Sequence, residues 1–315
     1  MEARGPDIVV IGASYIDMAI RCSQFPSSIQ PVVGTSLSYR VSGPGPSQAA
    51  QAAICGCQVC LITKVGSDPF AQRIREVLSE YRVITDFVYT AEAKNTGAVI
   101  TLVNSSGENA SIVYAGANSA LQAKDIETAT SATERVDVFL INGGLSQEAI
   151  VEAINTAKLH GAKVILNPAR PLDMQTTKDL PLEFFMADIL IPNLYEAADI
   201  TDQAAANIHT AKMIGSDLVA RGAGAAVITM GRRGCVVVDR NGADHIPAFD
   251  VELVDHTGTG DAFAGALAAS VGAKTDLREA ARFASAAGAL ACTKFGAIEA
   301  MPTKAEIIEL LQKQD

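Results

Sequence analysis

The sequence predicts a doubly wound α/β/α sandwich: a largely parallel sheet covered by helices on both faces, with a smaller sheet set into it. Three observations point there. Short β-branched runs alternate with Ala-rich amphipathic stretches along the chain, which is the order of a βαβ fold. The β-branched runs are continuously apolar, as expected of strands buried on both faces. Two segments, 14–41 and 96–118, break the rhythm with polar, turn-rich stretches.

In chain order, residues 8–11 are the first buried strand, ending on Gly12. Segment 14–41 follows, with alternation at Leu37, Tyr39 and Val41. Residues 47–54 read as a helix, 59–63 as a strand and 70–80 as a helix. Residues 98–103 and 111–114 flank the turn Asn104-Ser105-Ser106-Gly107 and read as a β-hairpin. Strands are expected at 136–141, 163–166, 189–192, 226–229 and 235–239, and helices at 147–160, 203–221, 261–270, 277–293 and 303–312. No internal repeat or low-complexity linker divides the chain. The expected organisation is a core of 1–13, 42–95 and 119–315 with a β-sheet lid of 14–41 and 96–118.

Charge and composition exclude several functions. The 25 Lys and Arg against 35 Asp and Glu leave a net charge of −10. Binding to a nucleic-acid backbone or an anionic membrane needs clustered cations. A polyanion such as ATP therefore requires local help from backbone amides and a metal ion. No charged segment followed by a long apolar one precedes Ile8, so no signal peptide is expected. No run approaches the roughly 18 apolar residues of a membrane span. Cys55, Cys57 and Cys60 lack a second pair or a His at zinc spacing. They read as small buried residues of a reduced, cytoplasmic protein.

The most informative segment is Asp255-His256-Thr257-Gly258-Thr259-Gly260-Asp261. Two glycines allow a sharp turn into the helix that begins near Asp261. The first amides of that helix would face an anion in the turn, and Asp261 is placed to accept a proton from an attacking hydroxyl. On residue type alone, Asp261 equally fits a plain helix N-cap. No Gly-x4-Gly-Lys-Ser/Thr occurs, and no Gly-x-Gly-x-x-Gly follows the first strand. A P-loop enzyme and a dinucleotide oxidoreductase are thereby disfavoured.

The same segment resembles the C-terminal signature of the ribokinase-like (PfkB) carbohydrate kinases, and other segments agree in the family's order. These are Gly12 to Asp17, Ser42 to Ala53, Lys64 to Phe70, Gly116-Ala117-Asn118, Asn193-Leu194-Tyr195-Glu196 and Thr229 to Gly234. The resemblance spans nearly the whole chain. It implies an ATP-dependent transfer of the γ-phosphate to a hydroxymethyl group, with Asp261 as base and Gly258, Thr259 and Gly260 as anion hole. It implies Asn193, Thr229, Gly231 and Gly234 on the nucleotide side. Glu196 would hold Mg²⁺ through water, although the Asn193–Glu196 pair on its own is equally a polar loop. Asp255, with carbonyls near Gly296, is the candidate for a monovalent cation such as K⁺. Asp17, Tyr15, Gly43, Ser47 and Gly144 would bind the acceptor. Relatives pair their lids into homodimers, for which Leu37, Tyr39, Val41, Val99, Val103 and Val113 are the candidate face.

The departures fall on the acceptor side. Where ribokinase-like enzymes typically read Gly-Gly-Lys-Gly-Ala-Asn, this chain reads Ser42-Gly43-Pro44-Gly45-Pro46-Ser47. The cation is missing, and two prolines are expected to stiffen the turn. Tyr15 and Asn142-Gly143-Gly144 stand where that family has an Asn and a sugar-contacting Glu. The set implies an acceptor other than ribose: a larger sugar or a nucleoside. The alternatives are a nucleoside kinase, or a non-catalytic sugar- or nucleotide-binding regulator on the same scaffold.

Overall fold

The computed structural model describes residues 6–133 and 135–314; residues 1–5 of the expected core lie outside them. Among the described residues a nine-stranded sheet and a four-stranded sheet are formed. The chain opens with β1 (Ile8–Ile11), β2 (Tyr15–Cys22), β3 (Gly34–Ser42), α1 (Pro44–Ile54), β4 (Val59–Gly66) and α2 (Pro69–Glu80). There follow β5 (Val88–Ala91), β6 (Gly97–Val103), β7 (Asn109–Tyr114), α3 (Ala123–Ser131), β8 (Val138–Asn142), α4 (Gln147–Leu159), β9 (Lys163–Asn167) and β10 (Ile189–Leu190). The chain continues through α5 (Leu194–Thr201), α6 (Ile208–Ala220), β11 (Ala225–Thr229), β12 (Cys235–Asp239) and β13 (Gly242–Ile246). It ends with α7 (Thr259–Gly272), α8 (Leu277–Ala291) and α9 (Lys304–Lys313).

The large sheet runs β13-β12-β11-β10-β9-β8-β1-β4-β5. It is parallel from β11 to β5, with β12 and β13 added antiparallel at one edge. All four residues of β1 are buried, each side chain contributing about 1.5–3 kcal/mol by leaving water. Ile8 and Val10 join the core made with α1, α2, α7, α8 and α9, while Val9 and Ile11 join the core made with α3 to α6. Cys55 packs in the first core and Cys60 in the second, so the cysteine cluster straddles the sheet.

The sheet–helix alternation is legible in sequence, but three details differ. Helix α1 starts at Pro44 and not at residue 47, with Pro44 and Pro46 in its first turn. The prolines therefore do not form a stiffened turn ahead of the helix; they occupy positions whose amides need no intrahelical acceptor. The expected helix at 203–221 is the shorter α6, opened by a capping box at Asn207, and Asn193 and Glu196 form another capping box that opens a separate, unexpected helix, α5, ahead of it. Strands β5 and β13 and helix α3 are further elements beyond the expected set.

The small sheet has the order β3-β2-β6-β7, two hairpins joined by parallel β2–β6 pairing. Two of its four connections to the core meet at Asn118, whose side chain accepts from the Ser14 amide and donates to the Ser14 carbonyl, both at 2.8 Å. The ladder register sorts side chains onto two faces. Leu37, Tyr39 and Val41 share one face with Met18, Ile20, Ile100, Leu102, Ile112 and Tyr114. Val99, Val103 and Val113 lie on the opposite face, with Asp17, Arg40 and Thr101. The expected single apolar face thus mixed two sets, since the register between hairpins was not readable from either alone.

Candidate active site

The site forms at the C-terminal ends of the parallel strands, where the turn before α7 meets the ends of β8 to β11. Gly258 is the N-cap of α7 in the left-handed conformation (φ 75°), and no side chain caps the helix. The amides of Gly260 and Asp261 have no hydrogen-bond partner among the described residues. A Cβ on Gly260 would project into open space, so its glycine keeps the backbone approachable. An uncapped helix start with two unpaired amides beside a cleft is suited to an anion. Thr259, the first helical residue, turns its hydroxyl back to the His256 carbonyl at 2.9 Å.

Asp261 sits at the floor of this cleft, partly open to it. Burial pushes its carboxyl up to about 6, against a hydrogen bond from Gln48 that lowers it. The Gln48 Nε2 donates to Asp261 Oδ1 at 2.9 Å, and Asn142 Nδ2 donates to Gln48 Oε1 at 2.8 Å. Helix packing explains the first contact. Gly265, one turn along α7, lacks the Cβ that would stand 2.6 Å from the Gln48 carbonyl, so α1 lies close against α7.

The cleft holds about 200 Å³ and is lined by Asn167, Ile191, Asn193, Glu196, Thr229, Gly258, Gly260, Asp261 and Phe263. It joins the expected base Asp261, the anion-hole candidates Gly258 and Gly260, the nucleotide-side candidates Asn193 and Thr229, and the metal candidate Glu196. Gly231 and Gly234 are not in its lining. They shape the short 3-10 turn after β11, where Gly234 adopts φ 82° and a Cβ would stand 2.0 Å from the Ile246 carbonyl. Asn193 Oδ1 accepts from the Tyr195 and Glu196 amides, and Glu196 Oε2 accepts from the Asn193 amide. Burial raises the Glu196 carboxyl despite those bonds.

Asp255 turns away from that cleft. Its Oδ1 accepts from the Thr257 amide and hydroxyl at 2.9 and 2.7 Å, and its Oδ2 accepts from the Gly296 amide at 3.2 Å. Burial pushes this carboxyl up, but those bonds and nearby Arg40 outweigh it and hold it below its ordinary value. Arg40 arrives from the lid, opposite Asp17 in the β2–β3 ladder. Asp17 Oδ1 accepts from the Thr101 hydroxyl at 3.1 Å. Burial keeps the Asp17 carboxyl raised, with Thr101 and Arg40 lowering it and Asp255 raising it further.

The remaining acceptor-side residues cluster at the end of β1. Gly43 (φ 101°) packs against the Ala13 carbonyl and the Tyr15 ring, and that ring also fills the space beside Gly97. Tyr15 is 7% exposed and acts as a wall more than an open contact. Ser47 is fully buried in α1, its hydroxyl without a partner. At Gly144 a Cβ would meet only Ala13, at an ordinary 3.6 Å, so room exists there. Two residues escaped the sequence reading, Gln48 and Arg40, and Asn142, noted there only within the segment that replaces a sugar-contacting Glu, instead holds Gln48. A Gln inside the Ala-rich stretch Gln48-Ala49-Ala50-Gln51 and an Asn closing an apolar strand are buried polar residues that demand partners. That was the available signal.

An uncapped helix start, a largely buried carboxylate and a polar cleft at the sheet's C-terminal edge suit a phosphotransferase with an alcohol acceptor. Comparison with known proteins makes this specific. Residues 6–304 match the pfkB family of carbohydrate kinases. The ribokinase of Bacillus subtilis is 32% identical over 311 residues, covering 97% of this chain and 99% of the relative. The deoxyribokinase of Salmonella typhi is 28% identical over 306 residues, covering 97% and 98%. The Arabidopsis thaliana ribokinase solved with ribose and ATP superposes with a TM-score of 0.89 at 23% identity, covering 98% of this chain and 99% of that one. The chain belongs to the pfkB family of carbohydrate kinases and is an ATP-dependent sugar kinase.

Proposed function

We propose that this kinase phosphorylates a hydroxymethyl group of a sugar or sugar-like acceptor other than ribose, with Asp261 as general base. The observation that carries the assignment is the Asp261 carboxylate beside the unpaired amides of Gly260 and Asp261. The carboxylate takes the hydroxyl proton as the new O–P bond forms, and the amides hold the charge on the transferring phosphoryl oxygens. Glu196 keeps one carboxylate oxygen clear of its capping bond. That donor set suits Mg²⁺, which retains waters and needs one or two carboxylates plus phosphates; when bound, it neutralises charge on the β- and γ-phosphates. Thr229 and Asn193 border the nucleotide side. The ionised Asp255 and neighbouring carbonyls fit a monovalent cation such as K⁺. Asp17, Gly43, Ser47, Tyr15 and Gly144 form the acceptor side.

Further support concerns assembly and compartment. The lid's outer face carries Ile112 (71% exposed), Tyr39, Tyr114 and Leu37, too much contiguous apolar surface for a lone subunit, which supports a homodimer through paired lids. Six free cysteines suit the reducing cytoplasm. No helix among the described residues is long and apolar enough to cross a membrane.

The test is a panel of pentoses, hexoses and nucleosides in a coupled ADP-release assay, run with the intact protein and with Asp261→Asn. The substitution should lower turnover by about 10²–10⁴-fold while ATP binding by calorimetry persists. Undiminished turnover would remove Asp261 as base, and ribose as the best acceptor would remove the altered-acceptor reading.

A further inference from the structure

We propose that Gln48 and Asn142 are positioning residues for phosphoryl transfer: an amide relay from the end of β8 through α1 that fixes the ionised oxygen of Asp261. The inference rests on Asp261 being the base. An amide side chain can present either its nitrogen or its oxygen, and the partner on its far side decides which. Here the Gln48 oxygen is taken by Asn142 Nδ2 at 2.8 Å, so its nitrogen must face Asp261 Oδ1, at 2.9 Å. That leaves Oδ2 as the oxygen without a side-chain donor among the described residues, available to the acceptor hydroxyl.

The relay is deliberately placed, because it is buried and expensive. Gln48 is fully buried and Asn142 nearly so. Asn142 Oδ1 has no partner among the described residues, so the hydrogen bond from its Nδ2 to Gln48 is the polar contact that its side chain makes there. Gly12 makes room for it, since a Cβ there would stand 1.8 Å from Asn142 Oδ1.

Among the described residues, burial and the Gln48 hydrogen bond are the influences that set the Asp261 carboxyl. Of the elements packed against the start of α7, α1, β1 and β8 carry no titratable side chain. The charged residues of α8, Arg278, Glu279 and Arg282, lie in its first two turns, whereas α8 meets Thr259 at Gly288. Glu196 faces Asp261 across the cleft, and Asp17, Arg40 and Asp255 act on one another. The Gln48 hydrogen bond is the contact that favours the ionised form against burial.

Two substitutions test the relay. Gln48→Met keeps the shape and removes both hydrogen bonds. Asn142→Asp is nearly isosteric and never touches Asp261, yet it replaces the donor facing Gln48 with an acceptor. Gln48 must then turn its nitrogen inward and its oxygen toward the base, which favours the protonated acid. The readout is a ¹³C NMR titration of Asp carboxyls in labelled, intact protein, with Asp261→Asn identifying the resonance. It is paired with the pH dependence of kcat/KM on the best acceptor of the panel. Both variants should move the Asp261 titration and the acid limb upward by about one to two pH units. Folded variants whose titration stays where it is, whatever their loss of activity, would overturn the relay. If Asp261→Asn keeps full turnover, the base assignment fails instead; if that variant is inactive while the titration in Asn142→Asp and Gln48→Met does not move, only the relay fails.

Discussion

Replacing Asp261 with Asn should make the protein inactive and more stable, and the stability gain should depend on pH in a defined direction. Burial raises this carboxyl from 3.8 to about 6 in the folded chain. Above pH 6 both the folded and unfolded chains ionise it, and the fold carries the full cost of the buried charge. Below about pH 4 both hold it protonated, and the cost disappears. Two pKa units at about 1.4 kcal/mol each give about 3 kcal/mol. At about 2.1 cal/mol/K of unfolding entropy per residue, a 315-residue chain gains about 4–5 °C in Tm. The amide that replaces the carboxylate still offers an oxygen to Gln48, so the hydrogen bond of 2.9 Å need not be lost. Differential scanning calorimetry at pH 8 and pH 4, without ligands, measures the difference. Asp179→Asn, at an exposed position, controls for the change in net charge. A gain of the same size at both pH values, or none at pH 8, would refute the argument that Asp261 is held at the expense of the fold.

Two further outcomes follow from packing. Gly12→Ala should cost about 1–3 kcal/mol, because its Cβ would stand 1.8 Å from the buried Asn142 oxygen; a thermal melt at pH 8 within 1 °C of the parent would contradict it, that threshold being about the smallest shift expected. Ile112→Lys, on the edge strand β7 of the lid's apolar face with 71% of its surface exposed, should convert a lid-paired dimer to monomer in multi-angle light scattering, and an unchanged mass would exclude that face as the interface.

The large-sheet core was legible because its signal is local and redundant. Each buried strand is a run such as Ile8 to Ile11, and each helix shows its own apolar periodicity. The sharp turn into α7 was legible too, since residues Gly258 to Asp261 are contiguous and their geometry is set by the backbone. What was not legible depends on residues far apart in the chain. Gln48 meets Asp261 across 213 positions, and only the close α1–α7 packing permitted by Gly265 brings them together. The lid faces were misassigned because Val99 and Leu37 each alternate correctly within their own strand, and only the β2–β6 pairing decides which face each joins. Asn193 and Glu196 carried a helix-start signature, Asn-x-x-Glu, that was legible as chemistry before it was recognised as a cap.

The lid is a single sheet with no third layer, so alternate residues of the same strands feed two different surfaces. This imposes a parity rule on its evolution. Losing one residue of β2 ahead of Asp17 would exchange the surfaces from there on, bringing Met18 and Ile20 to the face that carries Arg40 and sending Asp17 to the opposite one. Strand lengths in the lid can therefore change only in steps of two, or where parity is already broken. Such places exist at the rim: the turn around Gly107, and the irregular step where Arg21 pairs with Ser36 but Cys22 with Gly34. An odd residue is absorbed there, beyond the reach of Asp17 and Arg40.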